Sequence, residues 1–151
     1  MGETELALEI KSKLGDKVVS LLQPRPRRIF VTVRPEDVPG AVRVVWDDMK
    51  SRFATVTGID VPEGIEILYH FAFDEAHAVV TVKTKVSKPF PRIESITPMI
   101  TGAEWIEREI YDILGVRFRN HPNPKRLLLS DDWPEGVYPL RKDFKLKEQG
   151  P

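Results

Sequence analysis

Three apolar segments follow one another in the middle of the chain, and they constrain its fold more than any other feature. They span residues 55–61, 65–73 and 79–86, and each is apolar on at least alternate positions. The turn-forming residues 62–64 separate the first two segments, and the polar residues 74–77 separate the last two. Strand-like segments joined by short turn signals are typical of antiparallel sheets. We therefore expect three strands, the second and third of which form a hairpin.

Helical patterns and one further strand surround these segments. Residues 4–15 and residues 38–53 repeat apolar side chains every three or four positions, which predicts two helices. Residues 29–33 are dense in β-branched side chains and predict a strand, after a proline-rich break at residues 23–26. Together with a third helix described next, this order predicts an α+β fold, with helices on one face of a mostly antiparallel four-stranded sheet.

The third helix is predicted to begin at a capping box formed by Thr101 and Glu104 and to end at Gly115. On a helical wheel its apolar arc consists of Ile106, Ile110, Ile113 and Leu114. A neighbouring stripe consists of Trp105, Glu109, Asp112 and Val116. Two carboxylates are thus expected on one helix face beside Trp105, which, like Trp46, we expect to lie in the core.

Glu109 and Asp112 have two interpretations. Close carboxylates shift each other's pKa and share cations, so the pair could serve a hydrolase as an acid–base pair or as metal ligands. They could instead pair with Arg108, Arg117 or Arg119, or with basic residues of a partner, as charges on helices usually do. The second interpretation is favoured, because the sequence offers no nucleophile, phosphate loop or histidine ligand set to complete an active site.

Residues 116–151 follow the third helix as a proline-rich segment. Its prolines at 122, 124, 134 and 139 exclude long regular elements. The segment nevertheless carries several large apolar residues, namely Phe118, Trp133, Tyr138, Leu140 and Phe144. Free coil is poor in such residues, so we expect an extended C-terminal arm that lies on a protein surface. The expected division is an α+β domain over residues 1–115 and an arm over residues 116–151.

Composition excludes several functional classes. Lysine plus arginine and aspartate plus glutamate each number 23, so no global basic field favours nucleic acid. The absence of cysteine excludes iron–sulfur ligation by this chain. Neither a secretory signal nor a run of 18 apolar residues is present, so no direct membrane span is expected. Charged residues reach 30% while asparagine and glutamine are scarce, which is typical of a thermophilic source.

The last third of the sequence resembles a known family. The pattern runs Glu107-Arg108-Glu109, two residues, Asp112-Ile113-Leu114, six residues, His121, three residues, Lys125, one residue, then Leu127-Leu128. This pattern resembles the signature of the 30-kilodalton subunit of respiratory complex I. Two later segments, residues 131–133 and 139–144, resemble the same family's downstream sequence. The resemblance is specific over residues 97–144, and Pro124 departs from the apolar residue common in the family.

The resemblance implies an accessory subunit without a cofactor of its own. Such a subunit docks on a large catalytic subunit, either one that forms a quinone site or one that carries a nickel–iron centre, as in membrane-bound hydrogenases. Iron–sulfur subunits and antiporter-like membrane subunits would be further partners, and the complex would translocate ions. The chain would lie peripherally at the cytoplasmic face of the cell membrane. A compact relative is favoured, such as an archaeal-type membrane-bound hydrogenase, formate hydrogenlyase or a sulfane-sulfur-reducing complex.

The resemblance also marks the residues expected at the subunit interface. They are Glu107, Arg108, Glu109, Asp112, Gly115, His121, Pro122, Lys125, Arg126, Asp131, Asp132, Trp133, Pro139, Leu140, Arg141, Lys142 and Asp143. Trp133 and Tyr138 are the expected aromatic anchors, although they could instead close the arm onto its own domain. His121 could carry protons or bind a metal, but with only His70 and His77 elsewhere a hydrogen-bonded structural role is favoured. No catalytic, cofactor or metal residue is predicted.

Overall fold

A computed structural model describes residues 4–122 of the chain. In this part three α-helices and seven strands follow in the order α1 (Glu5–Leu14), β1 (Ser20–Arg25), β2 (Arg28–Thr32), α2 (Val38–Arg43), β3 (Arg52–Val61), β4 (Gly64–Phe73), β5 (Ala78–Ser87), β6 (Arg92–Glu94), α3 (Glu104–Leu114) and β7 (Arg117–Arg119). The α+β class is confirmed. None of the helices formed by residues 4–122 is long and apolar enough to cross a membrane.

The main sheet has five strands in the order β1-β2-β5-β4-β3. The three middle strands predicted from the apolar segments are confirmed, and β4 and β5 form the expected antiparallel hairpin. Strand β2 pairs with β5 in parallel, whereas the other neighbours in this sheet are antiparallel. Strands β6 and β7 form a separate parallel pair. The first residues of the expected arm therefore contribute a short strand, Arg117–Arg119.

The sheet has one strand more than the four expected. Strand β1 contains Pro24, and the proline-rich break at residues 23–26 concealed it. Proline cannot donate to a sheet ladder, but it is tolerated at a sheet edge or beside a bulge. Both conditions hold here, because β1 is an edge strand and its register shifts between Leu22 and Arg25.

The core lies between one face of the sheet and the helices. Alternate residues of β4 and β5 face it, including the fully buried Tyr69, Phe71, Val80 and Val82. Helix α1 contributes Ala7, Ile10 and Leu14, and the Thr4 side chain caps its first turn. It lies within the predicted range of residues 4–15 and stops at Gly15, as predicted. Trp46 is partly buried against this core, in agreement with the sequence.

The second helix is shorter than its sequence pattern predicts. Helix α2 ends at Arg43 and continues as a π-helical turn over Val44–Asp48. Lys50 then adopts a positive φ of 58°, which turns the chain into β3. Phe53, expected at the end of the helix, lies in β3 and packs edge to face against Phe71 at 5.9 Å. Its spacing from Met49 fits a helix, but its actual neighbour is across the sheet.

Candidate functional site

Helix α3 carries the first part of the family pattern, residues 107–114, and its two ends are built differently from one another. Gly115 ends the helix in the left-handed conformation with φ 81°, and its N–H donates to the carbonyl of Tyr111, as predicted. The expected capping box is wrong. Residues Thr101–Ala103 form a 3₁₀ turn that leads into α3, and no side chain caps either segment. In place of a side-chain cap, a backbone hydrogen bond from the Ala103 N–H to the Ile100 carbonyl closes this turn.

Close contact with β3 positions α3 on the sheet. A Cβ atom built on Gly58 would lie 2.7 Å from Leu114 Cδ1 and 3.4 Å from Ile110 Cγ2. Carbon atoms in favourable contact are about 3.5–4.0 Å apart, so the helix reaches this depth only over a glycine. Ile110 and Leu114, two members of the predicted apolar arc, are buried at this contact, whereas Ile106 and Ile113 are only partly buried.

Glu107 lies fully buried on the inner side of α3. Its Oε1 accepts hydrogen bonds from Ser95 Oγ at 2.5 Å and from Thr97 Oγ1 at 2.7 Å, and its Oε2 accepts one from the Ile96 N–H at 2.9 Å. Buried carboxylates require such partners, because desolvation of a charge is costly. Glu107 thus ties the segment after β6 to the helix.

Burial alters the acid–base properties of this cluster. Desolvation raises the pKa of Glu107 above its usual range, although its hydrogen bonds and the nearby His121 act in the opposite direction. Tyr69 lies on the adjacent sheet face, and burial together with the charge of Glu107 raises the pKa of its hydroxyl well above the ordinary value. Within residues 4–122 the Tyr69 hydroxyl has no hydrogen-bond partner. The site therefore favours a protonated Glu107 more than solvent does.

His121 connects the end of the described chain to the start of α3. Its Nε2 donates to the carbonyl oxygen of Glu104 at 3.1 Å and lies 3.7 Å from Glu107 Oε1. The imidazole is buried, as expected for a hydrogen-bonded structural histidine. Beside it opens a pocket of about 170 Å³, lined by Glu107, Arg108, Tyr111, Arg117, Phe118 and His121.

Two arginines that line this pocket each lie over an aromatic ring. The guanidinium carbon of Arg108 lies 5.1 Å from the ring centre of Trp105, and that of Arg117 lies 5.7 Å from the ring centre of Tyr111. Cations over ring faces are attracted by the ring quadrupole. Trp105 is 60% exposed, so its expected place in the core is wrong. The wheel gives a direction around the helix axis, but it does not show how far the neighbouring elements extend along that axis.

The helical wheel also failed to show that Glu109 and Asp112, considered as an acid–base pair, have different surroundings. Glu109 is exposed on α3, whereas Asp112 is fully buried one turn later. The predicted stripe of Trp105, Glu109, Asp112 and Val116 therefore divides into an exposed first half and a buried second half. In residues 4–122 no group of three or more histidine, aspartate or glutamate side chains is placed to hold a metal ion.

The structure groups some of the predicted interface residues and leaves others undescribed. Glu107 and His121 meet in the buried cluster, Arg108 lines the pocket, Glu109 is exposed, and Pro122 ends the described chain. The following predicted residues lie outside the described part: Lys125, Arg126, Asp131, Asp132, Trp133, Pro139, Leu140, Arg141, Lys142 and Asp143. Tyr138 lies there as well.

Sequence reasoning missed the partners of Glu107. Ser95 and Thr97 lie 12 and 10 residues before it and come from the segment after β6. Tyr69 comes from the far hairpin. A pair of hydroxyl residues flanking an isoleucine gives no local sign of a buried carboxylate. Only the fold brings these residues together.

Comparison with known proteins places the chain among respiratory proteins. A family model described as the 30-kilodalton subunit of respiratory-chain NADH dehydrogenase matches residues 31–150. The C subunit of the NADH-quinone oxidoreductase of Chloroherpeton thalassium is 40% identical over 92% of this chain. Its counterpart in Citrifermentans bemidjiense is 32% identical over the whole chain. The chain spans 59% of the length of the first relative and 94% of the second.

A solved structure confirms the fold. A chain in the structure of the membrane-bound sulfane sulfur reductase, an archaeal respiratory membrane complex, superposes with a TM-score of 0.84. The superposition covers 96% of this chain and 86% of that one, at 24% sequence identity. The family match covers far more than the segment that carries the sequence pattern. This chain belongs to the family of the 30-kilodalton subunit of respiratory-chain NADH dehydrogenase.

Proposed function

We propose that this chain is a cofactor-free accessory subunit of a membrane-bound, ion-translocating respiratory complex. It docks on the large catalytic subunit and stabilises that assembly, without carrying electrons itself. The observation that carries the proposal is the family match over residues 31–150, which includes most of the domain and the segment after it. The proposed place is peripheral, at the cytoplasmic face of the cell membrane.

Three features of the chain support this role. The sequence contains no cysteine, so iron–sulfur clusters would have to belong to partner subunits. Glu107 and His121 are held in a buried, hydrogen-bonded cluster, which makes the end of the domain rigid where residues 123–151 begin. Trp105 is exposed beside arginine, and both residue types are enriched where protein interfaces bind most strongly.

The electron acceptor of the whole complex would determine the nature of the large subunit. The two similar C subunits come from enzymes named for quinone reduction, and the superposed chain comes from a sulfane sulfur reductase. A membrane-bound hydrogenase with a nickel–iron centre is the third member of this set of proposals. In each case the proposed contribution of this chain is the same: it supports a catalytic subunit whose chemistry lies elsewhere.

Co-purification tests the proposal. The chain is tagged in its native host, the membranes are solubilised gently, and the recovered proteins are identified and quantified by mass spectrometry. We expect a large subunit of the quinone-site or nickel–iron type, small iron–sulfur subunits and antiporter-like membrane proteins. Nickel analysis of the large subunit then distinguishes a hydrogenase from nickel-free relatives. Recovery of the chain alone, or of stoichiometric metal or flavin on the purified chain, would contradict the proposal.

A truncated chain tests whether residues 123–151 contribute to docking. The variant ends at residue 122, and circular dichroism and thermal unfolding establish whether its domain is folded. We expect a folded truncated chain to recover much less of the large subunit than the 151-residue chain does. Equal recovery would show that the domain alone suffices and that the expected arm contact is not needed.

A further inference from the structure

We propose that Arg92, Arg108 and Arg117, together with Trp105 and Tyr111, form a recognition surface for an acidic segment of a partner protein. We call these five residues the arginine patch. The inference rests on the proposed function and deepens it, because it names the chemistry that the docking partner presents. Four observations carry it: a pair of like charges in one strand ladder, guanidinium groups held over aromatic rings, an adjacent pocket, and the exposure of Trp105.

The like charges lie in the small parallel sheet. Arg92 of β6 and Arg117 of β7 are register partners, and both are exposed. Like charges directly opposite each other destabilise a strand pair. In the same ladder Glu94 and Arg119 are also register partners, and their side chains form an ion pair at 3.7 Å. Among residues 4–122 no acidic side chain forms an ion pair with Arg92 or Arg117. An incoming carboxylate would relieve this repulsion.

The aromatic rings place the arginines for such a contact. Arg117 lies over Tyr111 and Arg108 lies over Trp105. Contact with a ring face restricts the guanidinium of Arg117 and uses none of its five N–H donors. The donors of Arg117 are therefore available to bind two carboxylate oxygens at once, which is the geometry in which arginine binds most strongly. Less conformational entropy is lost on binding when a side chain is already held.

The pocket beside the patch can receive an acidic side chain. Its volume of about 170 Å³ is several times the ~30 Å³ that a water molecule occupies in the liquid. Glu107 lies at its inner wall, but the carboxylate oxygens of Glu107 accept hydrogen bonds from Ser95, Ile96 and Thr97. Burial also raises the pKa of Glu107, so its negative charge is less developed than that of an exposed glutamate. Arg117, which is exposed and lines the pocket, therefore supplies positive charge to an incoming carboxylate.

The surroundings favour a protein partner over nucleic acid. Glu94, Glu104 and Glu109 lie near the patch on β6 and α3, and a continuous phosphate backbone would meet these carboxylates as well as the arginines. A short acidic segment with one or two carboxylates fits such mixed charge. Trp105 at 60% exposure adds the apolar contact area that anchors protein interfaces.

Charge reversal separates a docking role from a structural one. In the tagged 151-residue chain, Arg117→Glu places a carboxylate beside Arg92 and removes the contact with Tyr111. These two effects are of similar size and opposite sign, so the purified variant should unfold at about the same denaturant concentration as the unaltered chain. Its recovery of the large subunit from native membranes should nevertheless fall about tenfold or more, because a buried charge contact at the interface is replaced by repulsion. A residue with a merely structural role would lose both properties together.

Lys85→Glu is the matched control. Lys85 is exposed on the opposite sheet face and pairs with Glu63 at 3.0 Å, so its reversal breaks a known ion pair and changes the net charge by the same amount. This variant should lose a little stability and recover the large subunit normally. Normal recovery by Arg117→Glu, or an equal loss by both variants, would overturn the inference.

Photo-crosslinking identifies the occupant. A photoreactive amino acid replaces Trp105, and crosslinked peptides are sequenced after irradiation of the native complex. We expect a peptide of a co-purifying protein that is rich in aspartate or glutamate. A crosslink to residues 123–151 of the same chain, or to nucleic acid, would overturn the inference and leave the proposed function intact. Recovery of no partner by the unaltered chain would overturn the proposed function, and the inference with it.

Discussion

Replacing Glu107 tests whether the buried carboxylate stabilises the domain by its hydrogen bonds and destabilises it by its charge. Two variants separate these effects. Glu107→Leu removes the acceptors for Ser95, Ile96 and Thr97 and keeps the approximate side-chain size. Glu107→Gln keeps an acceptor for the Ile96 N–H, and the two hydroxyl groups can rotate to accept from the new amide. Glu107→Gln therefore removes the titratable group at position 107 but keeps hydrogen bonds to residues 95–97, whereas Glu107→Leu removes both.

The expected magnitudes follow from the contacts. A buried donor left without an acceptor costs about 1–3 kcal/mol. Three donors lose their acceptor in Glu107→Leu, and we take the lower end for each because the hydroxyl groups can reorient. The free energy of unfolding should therefore fall by about 3 kcal/mol. For Glu107→Gln at neutral pH we expect a change of less than about 1 kcal/mol, since neutral hydrogen bonds replace charge-assisted ones while the desolvation of a charge is avoided.

The pH dependence has a definite sign. Burial raises the pKa of Glu107 above the ordinary value of 4.5. Well below pH 4.5 the carboxyl is protonated in both the folded and the unfolded chain. There the contribution of Glu107 to the free energy of unfolding is at its maximum. As the pH rises from 4.5 through the folded-state pKa, the unfolded chain gives up its proton first, so the free energy of unfolding falls by about 1.4 kcal/mol for each unit of pKa difference. Glu107→Gln lacks this loss.

Urea unfolding followed by circular dichroism, repeated between pH 4 and pH 8, measures both effects. The stability of Glu107→Gln relative to the unaltered chain should increase with pH above 4.5 and then become constant. Subtraction of the two curves removes the titration of other groups, including the exposed carboxylates of Glu63 and Asp74, whose pKa values their basic partners lower. A difference that stays constant, or that decreases with pH, would refute the reasoning. If Glu107→Leu left the free energy of unfolding unchanged, the stabilising role of the hydrogen bonds would be refuted.

Three further substitutions test the packing around α3. Gly58→Ala should lower the free energy of unfolding, measured in urea, by about 1–3 kcal/mol, because its Cβ would lie 2.7 Å from Leu114 Cδ1. In the control Gly102→Ala the nearest atom to the new Cβ is 3.9 Å away, so the change should be less than about 0.5 kcal/mol. Tyr69→Phe should be neutral or stabilising, since the hydroxyl lacks a partner in the described chain; a loss above about 1 kcal/mol would reveal an unseen acceptor. Trp105→Ala should lower the thermal midpoint by only a few degrees, because the side chain is 60% exposed. A large fall in the midpoint would indicate instead that Trp105 packs in the core.

Local patterns predicted the elements that depend on local physics. The alternation in residues 65–73 and 79–86 is produced by strands with one face against the core, and the turn residues between them fix the hairpin. Gly115 could be assigned from the cost of a left-handed conformation in any other residue. By contrast, Pro24 concealed β1, because a sheet edge removes the penalty on which the prediction relied.

The buried cluster could be predicted only in part. Glu107 was identified through the family pattern, but its neighbours Ser95, Thr97 and Tyr69 are brought to it by the packing of β6 and β4. The pairing of β2 with β5 is likewise set by the whole fold, because strands about 50 residues apart leave no mark on one another in sequence. The exposure of Trp105 and the burial of Asp112 depend on which elements cover each turn of the helix.

The parallel pairing of β2 with β5 has a consequence for the order in which the chain assembles. Strands β3, β4 and β5 are joined by short turns and can pair as soon as they are made, whereas Phe30 must meet Thr81 about 50 residues further along. Long loops are entropically harder to close than short turns, and distant contacts form more slowly. The three-stranded unit therefore offers β5 as a template, onto which β2, with β1 and α1, is added later. Amide hydrogens of β4 should accordingly become protected from exchange before those of β1.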